Sequence, residues 1–76
     1  MSKLPVVSGR ELVRVLQKLG FQFDRQKGSH IMLFRENPPT TLSVPDHRDH
    51  RELDRGTLRA LLRQAGMSPD EFRKLL

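Results

Sequence analysis

Arg25-Gln26-Lys27-Gly28-Ser29-His30-Ile31-Met32-Leu33-Phe34 is the stretch that decides how this chain is read. Two cations lead into a Gly-Ser pair, a histidine follows, and an apolar run starts directly after it. Gly28 permits backbone conformations that other residues avoid, so a backbone N–H there can approach a bound group closely. Ser29 adds a hydroxyl able to donate to an oxyanion. The apolar run predicts a strand over residues 30–35, with His30 at its entrance. Histidine is the side chain that ordinarily titrates near physiological pH. A cationic turn that delivers one histidine suits phosphate chemistry. The plainer alternative is a surface or packed histidine, which is what a lone histidine more often is.

Working outward, Phe21-Gln22-Phe23-Asp24-Arg25 alternates apolar and polar, the period of a half-buried strand, and residues 26–29 make the turn. Alternation is poorer in the second strand. If Arg35 faces water, Ile31 and Leu33 share its face, and His30, Met32 and Phe34 share the other. An exposed Ile31–Leu33 pair then implies either a covered sheet face or a partner surface. Glu36-Asn37-Pro38-Pro39-Thr40 reads as loop, because consecutive prolines cannot continue a ladder. Thr41-Leu42-Ser43-Val44 reads as a third strand ended by Pro45.

Helices flank these strands. Ser8-Gly9-Arg10-Glu11 is a capping box, and Val7 with Leu12 forms its hydrophobic staple. Leu12, Val15, Leu16 and Leu19 recur at helical spacing, and Gly20 is a stop, so a helix is expected over residues 9–19. Asp54 is a second N-cap, followed by Leu58, Leu61, Leu62 and Ala65 at i, i+3, i+4 and i+7 and a stop at Gly66. Arg55, Arg59 and Arg63 recur every four residues of this helix as a basic ridge. Ser68-Pro69-Asp70-Glu71 caps a last short helix over residues 69–75. The expected fold is α+β, in the order α-β-β-β-α plus a short C-terminal helix. Its three-stranded antiparallel sheet carries the helices on one face. Double-stranded-RNA-binding domains share this arrangement.

The chain has 76 residues, enough for a single domain, and a formal charge of +5 from 14 Lys+Arg against 9 Asp+Glu. Such a balance favours polyanions, of which nucleic acid is the commonest in a cytosol. With no Trp, no Tyr and 4 Phe, aromatic platforms for single-stranded bases are not expected, and recognition of shape and phosphate fits better. There is no cysteine, so neither a disulfide framework nor a Cys-based zinc site is available. Asp46-His47-Arg48-Asp49-His50-Arg51 is a charged connection whose spacing matches no zinc signature, so no metal is assigned. No run of about 18 apolar residues offers a membrane span. The first residues lack the apolar core of a signal peptide, which places the protein in the cytoplasm as an expectation.

Taken together, these segments resemble the HicA (YcfA-like) family of toxin-antitoxin ribonucleases. The resemblance runs from Ser8-Gly9-Arg10-Glu11-Leu12 through Lys18-Leu19-Gly20-Phe21 to Arg25-Gln26-Lys27-Gly28-Ser29-His30. It continues in Val44-Pro45 with His47, in residues 56–66, and in Met67-Ser68-Pro69-Asp70-Glu71-Phe72. It implies a fold similar to double-stranded-RNA-binding domains, cleavage of mRNA that arrests translation, and a functional histidine after Gly-Ser, here His30. The implied partner is an antitoxin of the HicB type. Many members carry a polar residue, often a second histidine, directly after the functional one, where this chain has Ile31.

RNA carries its own nucleophile, the 2′-OH, so a ribonuclease needs a base, cationic help for the developing phosphorane charge and an acid for the leaving oxygen. His30 is the candidate base, and no metal or other cofactor is required. Lys27 and the Gly28 and Ser29 N–H groups are candidates to hold phosphate oxygens, with Arg25, Arg59 and Arg63 as further RNA contacts. His47 is a second proton-transfer candidate by residue type alone. Ile31 and Leu33 are candidate antitoxin contacts. Two other classes stay open: a non-catalytic RNA-binding module, which would tolerate alanine at His30, and a small protein-interaction domain, which would lack strongly salt-dependent RNA binding.

Overall fold

The computed structural model describes residues 4–47 and 51–76. Arg48, Asp49 and His50 of the charged connection lie outside the described residues. Helix α1 (Gly9–Lys18) opens on the expected capping box. The Glu11 N–H donates to Ser8 Oγ at 3.3 Å, and the Ser8 N–H donates to Glu11 Oε1 at 3.0 Å. Three strands follow, β1 (Gln22–Lys27), β2 (His30–Glu36) and β3 (Pro39–Pro45), then α2 (Arg55–Ala65) and α3 (Pro69–Leu75). Asp54 caps α2 by accepting from the Gly56 and Thr57 N–H groups, and Gly66 ends it at φ +75°. The expected α-β-β-β-α order with a C-terminal helix is therefore observed.

The sheet is antiparallel with β2 in the centre. Residues directly opposite across an antiparallel ladder point to the same face. Ile31 lies opposite Val44 and Leu33 opposite Leu42, and all four are buried. They meet the apolar stripes of the helices, Leu12, Val15 and Leu16 from α1 and Leu58, Leu61 and Leu62 from α2. Phe72 of α3 is fully buried in the same core, and Lys18 Nζ donates to the Leu75 carbonyl at 2.6 Å. Ahead of α1 and α2 the chain pairs with itself, the Leu53 N–H donating to the Val7 carbonyl at 2.7 Å. No helix among the described residues is long and apolar enough to cross a membrane.

Two expectations are corrected. Arg35 does not face water. It is half-buried, its guanidinium carbon lies 4.4 Å from the centre of the Phe21 ring, and its Nη2 donates to the Ala65 carbonyl at 3.5 Å. A guanidinium can cover apolar surface with its stem and stack its head on a ring, so an arginine does not mark the wet face. Ile31 and Leu33 consequently belong to the core and cannot be the surface met by an antitoxin; the open face carries His30, Met32 and Phe34. The second correction concerns the loop after β2, which shrinks to Asn37-Pro38 because β3 begins at Pro39. The first residue of an edge strand tolerates proline, and β3 is an edge strand. At the other edge every residue of β1 is exposed, Phe23 at 55%, since α1 and α2 pack over β3.

Gly9 explains how α1 sits so close to the sheet. A Cβ at Gly9 would collide with the carbonyl oxygen of Pro45. Gly9→Ala should therefore lower stability by about 1–3 kcal/mol, the usual cost of overpacking, despite alanine's better helix propensity. The midpoint of urea unfolding measures it.

Helix α3 carries a pH-dependent cap. The Glu71 carboxyl sits below its ordinary range because it accepts from the Ser68 N–H at 3.0 Å, with help from the Ser68 hydroxyl. A depressed carboxylate stabilises the fold above its unfolded pKa, and that contribution fades as pH falls through the lower folded value. Acidification should accordingly fray the first turn of α3. The protection of the Ser68 amide against exchange, relative to the unfolded chain at the same pH, should fall in acid, and Glu71→Gln should blunt that pH dependence.

Candidate functional site

Gly28 has φ +60°, a region side chains other than glycine rarely enter, and with Ser29 it joins Lys27 to His30 in a two-residue hairpin turn. His30 is the first residue of β2 and is exposed. It lies opposite Lys27 on one side and Pro45 on the other. Side chains opposite one another in such ladders have Cβ atoms about 4.5–5.5 Å apart, so the Lys27 and His30 side chains border one patch. Arg25, opposite Met32, shares this open face one row further along. Beyond it, a bulge between Phe23 and Arg25 shifts the register of β1 by one residue, so that Gln22 rather than Phe23 lies opposite Phe34.

The turn is tied to the rest of the fold. The Asp46 N–H donates to the Ser29 carbonyl at 2.6 Å, and Gln26 Nε2 donates to the Gly28 carbonyl at 3.4 Å. The nearly buried Asp46 carboxylate lies 3.5 Å from Nε of the exposed Arg10. Thus the start of α1, the end of β3 and the β1–β2 turn converge at one end of the sheet. Arg10 stands there as an additional cation, which from sequence reads only as one more charge on a solvated helix face. His47, directly after Asp46, is half-buried on this connection.

Among the sequence-derived site residues, the fold gathers Arg25, Lys27, Gly28, Ser29 and His30. Arg59 and Arg63 are exposed on α2, where they border a groove with Leu4 and Met67. Helix α2 packs on the covered face of the sheet, and its last turn meets Arg35, at the end of β2 remote from His30. The structure therefore does not bring Arg59 and Arg63 to His30. Among the described residues, no group of three or more His, Asp or Glu side chains is placed to hold a metal ion.

The model of the family described as HicA toxin of bacterial toxin-antitoxin systems matches residues 9–67, from the first residue of α1 to just past the glycine that ends α2. No curated protein matches the chain. A family match spanning both principal helices, the whole sheet and the histidine-bearing turn shows that the chain belongs to the HicA toxin family.

Proposed function

We propose that this toxin is a metal-independent endoribonuclease that cleaves mRNA through His30, arrests translation in the cytoplasm, and is neutralised by a HicB-like antitoxin. The observation that carries the reading is the exposed His30 at the head of β2, with Lys27 opposite and the Gly28-Ser29 turn beside it.

In this mechanism His30 removes the proton from a ribose 2′-OH, and the 2′-oxygen attacks the adjacent phosphorus. Lys27 and the turn N–H groups stabilise the charge that develops on the phosphoryl oxygens. The bond from phosphorus to the 5′-oxygen breaks, and that oxygen receives a proton from the imidazolium. The products are a 2′,3′-cyclic phosphate and a 5′-OH. The chemistry uses no cofactor.

Incubating the purified protein with a defined single-stranded RNA tests the reading directly. Wild type should cut it, and Lys27→Ala should slow cutting by a smaller factor than loss of His30, with Lys27→Arg restoring part of the rate. Cleavage should weaken steeply as salt rises, because phosphate contacts release counterions. An intact RNA after incubation with folded wild-type protein would refute the reading. An antitoxin with acidic groups over the turn would both mask His30 and associate quickly with the basic toxin.

A further inference from the structure

We infer that the end of the open sheet face remote from His30 holds a nucleobase pocket that selects where the RNA is cut. The inference rests on the ribonuclease reading above and assigns specificity to residues outside the turn. Phe34 stands between Gln22 of β1 and Thr41 of β3 in one cross-strand row and is 38% exposed. Beside it opens a concavity of about 250 Å³, bordered by Gln22, Glu36 and Asn37 and by the Leu19-Gly20 corner. Gly20 has φ +96° and no side chain, which leaves that corner open.

The groups at this concavity suit a base rather than a phosphate. Phe34 offers an aromatic face, and stacking on such a face tolerates any base. Gln22 and Asn37 supply amides, which both donate and accept. Glu36 supplies a carboxylate, which would repel a phosphate but accepts from an exocyclic amine. Arg35 also lines the concavity, but its guanidinium is engaged by Phe21 and by the Ala65 carbonyl. Adenine, cytosine and guanine carry an amine and uracil does not, so the pocket should prefer an amine-bearing base.

Charge along the face supports the same occupant. Between the Phe34 row and the His30 row lies Arg25, and Lys27 stands opposite His30, so cations lead an RNA backbone from pocket to histidine. Phe34 lies four residue steps along β2 from His30, about 13 Å at roughly 3.3 Å each. A stacked strand advances roughly 3.4 Å per nucleotide, so the selected base should lie about four nucleotides from the cut. The small number of phenylalanines argues against base stacking until burial is known, because what matters is that Phe34 is one of those left exposed on the histidine's face.

Single-stranded RNAs that vary one position at a time near a cut site test this. Wild type should prefer adenine, cytosine or guanine over uracil at one fixed offset. The preference should be about 5- to 150-fold, the range that good hydrogen bonding to a base edge supplies. Phe34→Ala and Glu36→Gln should each flatten the preference while His30-dependent cleavage persists. Glu36 is exposed, so Glu36→Gln remains informative if Phe34→Ala disturbs the sheet. Cleavage by wild type with no positional preference, or a preference unchanged in both variants, would overturn the pocket and leave the ribonuclease reading standing. A Phe34→Ala protein that loses antitoxin affinity but keeps its cleavage pattern would assign the face to a protein and overturn the pocket equally. No cleavage by wild type would overturn both.

Discussion

Replacing His30 with alanine should lower the rate of RNA cleavage by about 10²–10⁴-fold, the usual contribution of a general acid–base group. The same substitution should abolish growth arrest when the toxin is expressed without an antitoxin. His30 is exposed at the head of β2 and contributes nothing to the apolar core, so circular dichroism and the unfolding midpoint should stay near the wild-type values. That separation matters, because loss of activity with an intact fold distinguishes chemistry from support. A binding module with the same basic surface would show a small change in RNA affinity and no cleavage to lose. A folded His30→Ala protein that cuts RNA at the wild-type rate would remove His30 from the mechanism.

The second large effect falls on stability. Leu33→Ala should cost about 2–5 kcal/mol, the range for truncating a buried leucine, and Leu33→Lys should prevent folding by placing an unpaired charge in the core. Leu33 is fully buried at the centre of the sheet, opposite Leu42. A domain of 76 residues has roughly 4–11 kcal/mol of stability in total, so even the alanine variant should be strongly shifted toward the unfolded state. Urea titration reads the difference. The outcome also decides between two roles for this residue. A surface contact for an antitoxin would give a variant that folds normally and only escapes inhibition, whereas a core residue gives a protein that fails with or without a partner.

How much of this is legible in the sequence depends on whether the cause is local. Both capping boxes and the Gly66 stop are set by side chains three residues apart or by one backbone angle, and they appear where the sequence places them. The division of β2 into two faces is equally local, since alternation puts His30, Met32 and Phe34 together. Which of those faces is wet is not local. It depends on Arg35 finding Phe21 and the end of α2, partners supplied by the tertiary fold. Pro39 misleads for a similar reason: proline excludes a central strand, but only the sheet order reveals that β3 is an edge. The hydrogen bond from Asp46 to Ser29 and the approach of Arg10 to Asp46 join distant segments, and no spacing signals them. The pocket beside Phe34 is hidden in the same way, being assembled from the end of α1, the start of β1 and the turn after β2.

Analysis of the RNA ends left by the purified protein in excess EDTA tests the central claim most directly. The account predicts undiminished cleavage that leaves a 2′,3′-cyclic phosphate, or the phosphate formed on its hydrolysis, on one fragment and a 5′-OH on the other. Cleavage that stops in EDTA and returns with one added divalent ion, or that leaves a 5′-phosphate, would contradict a mechanism in which His30 activates the 2′-OH.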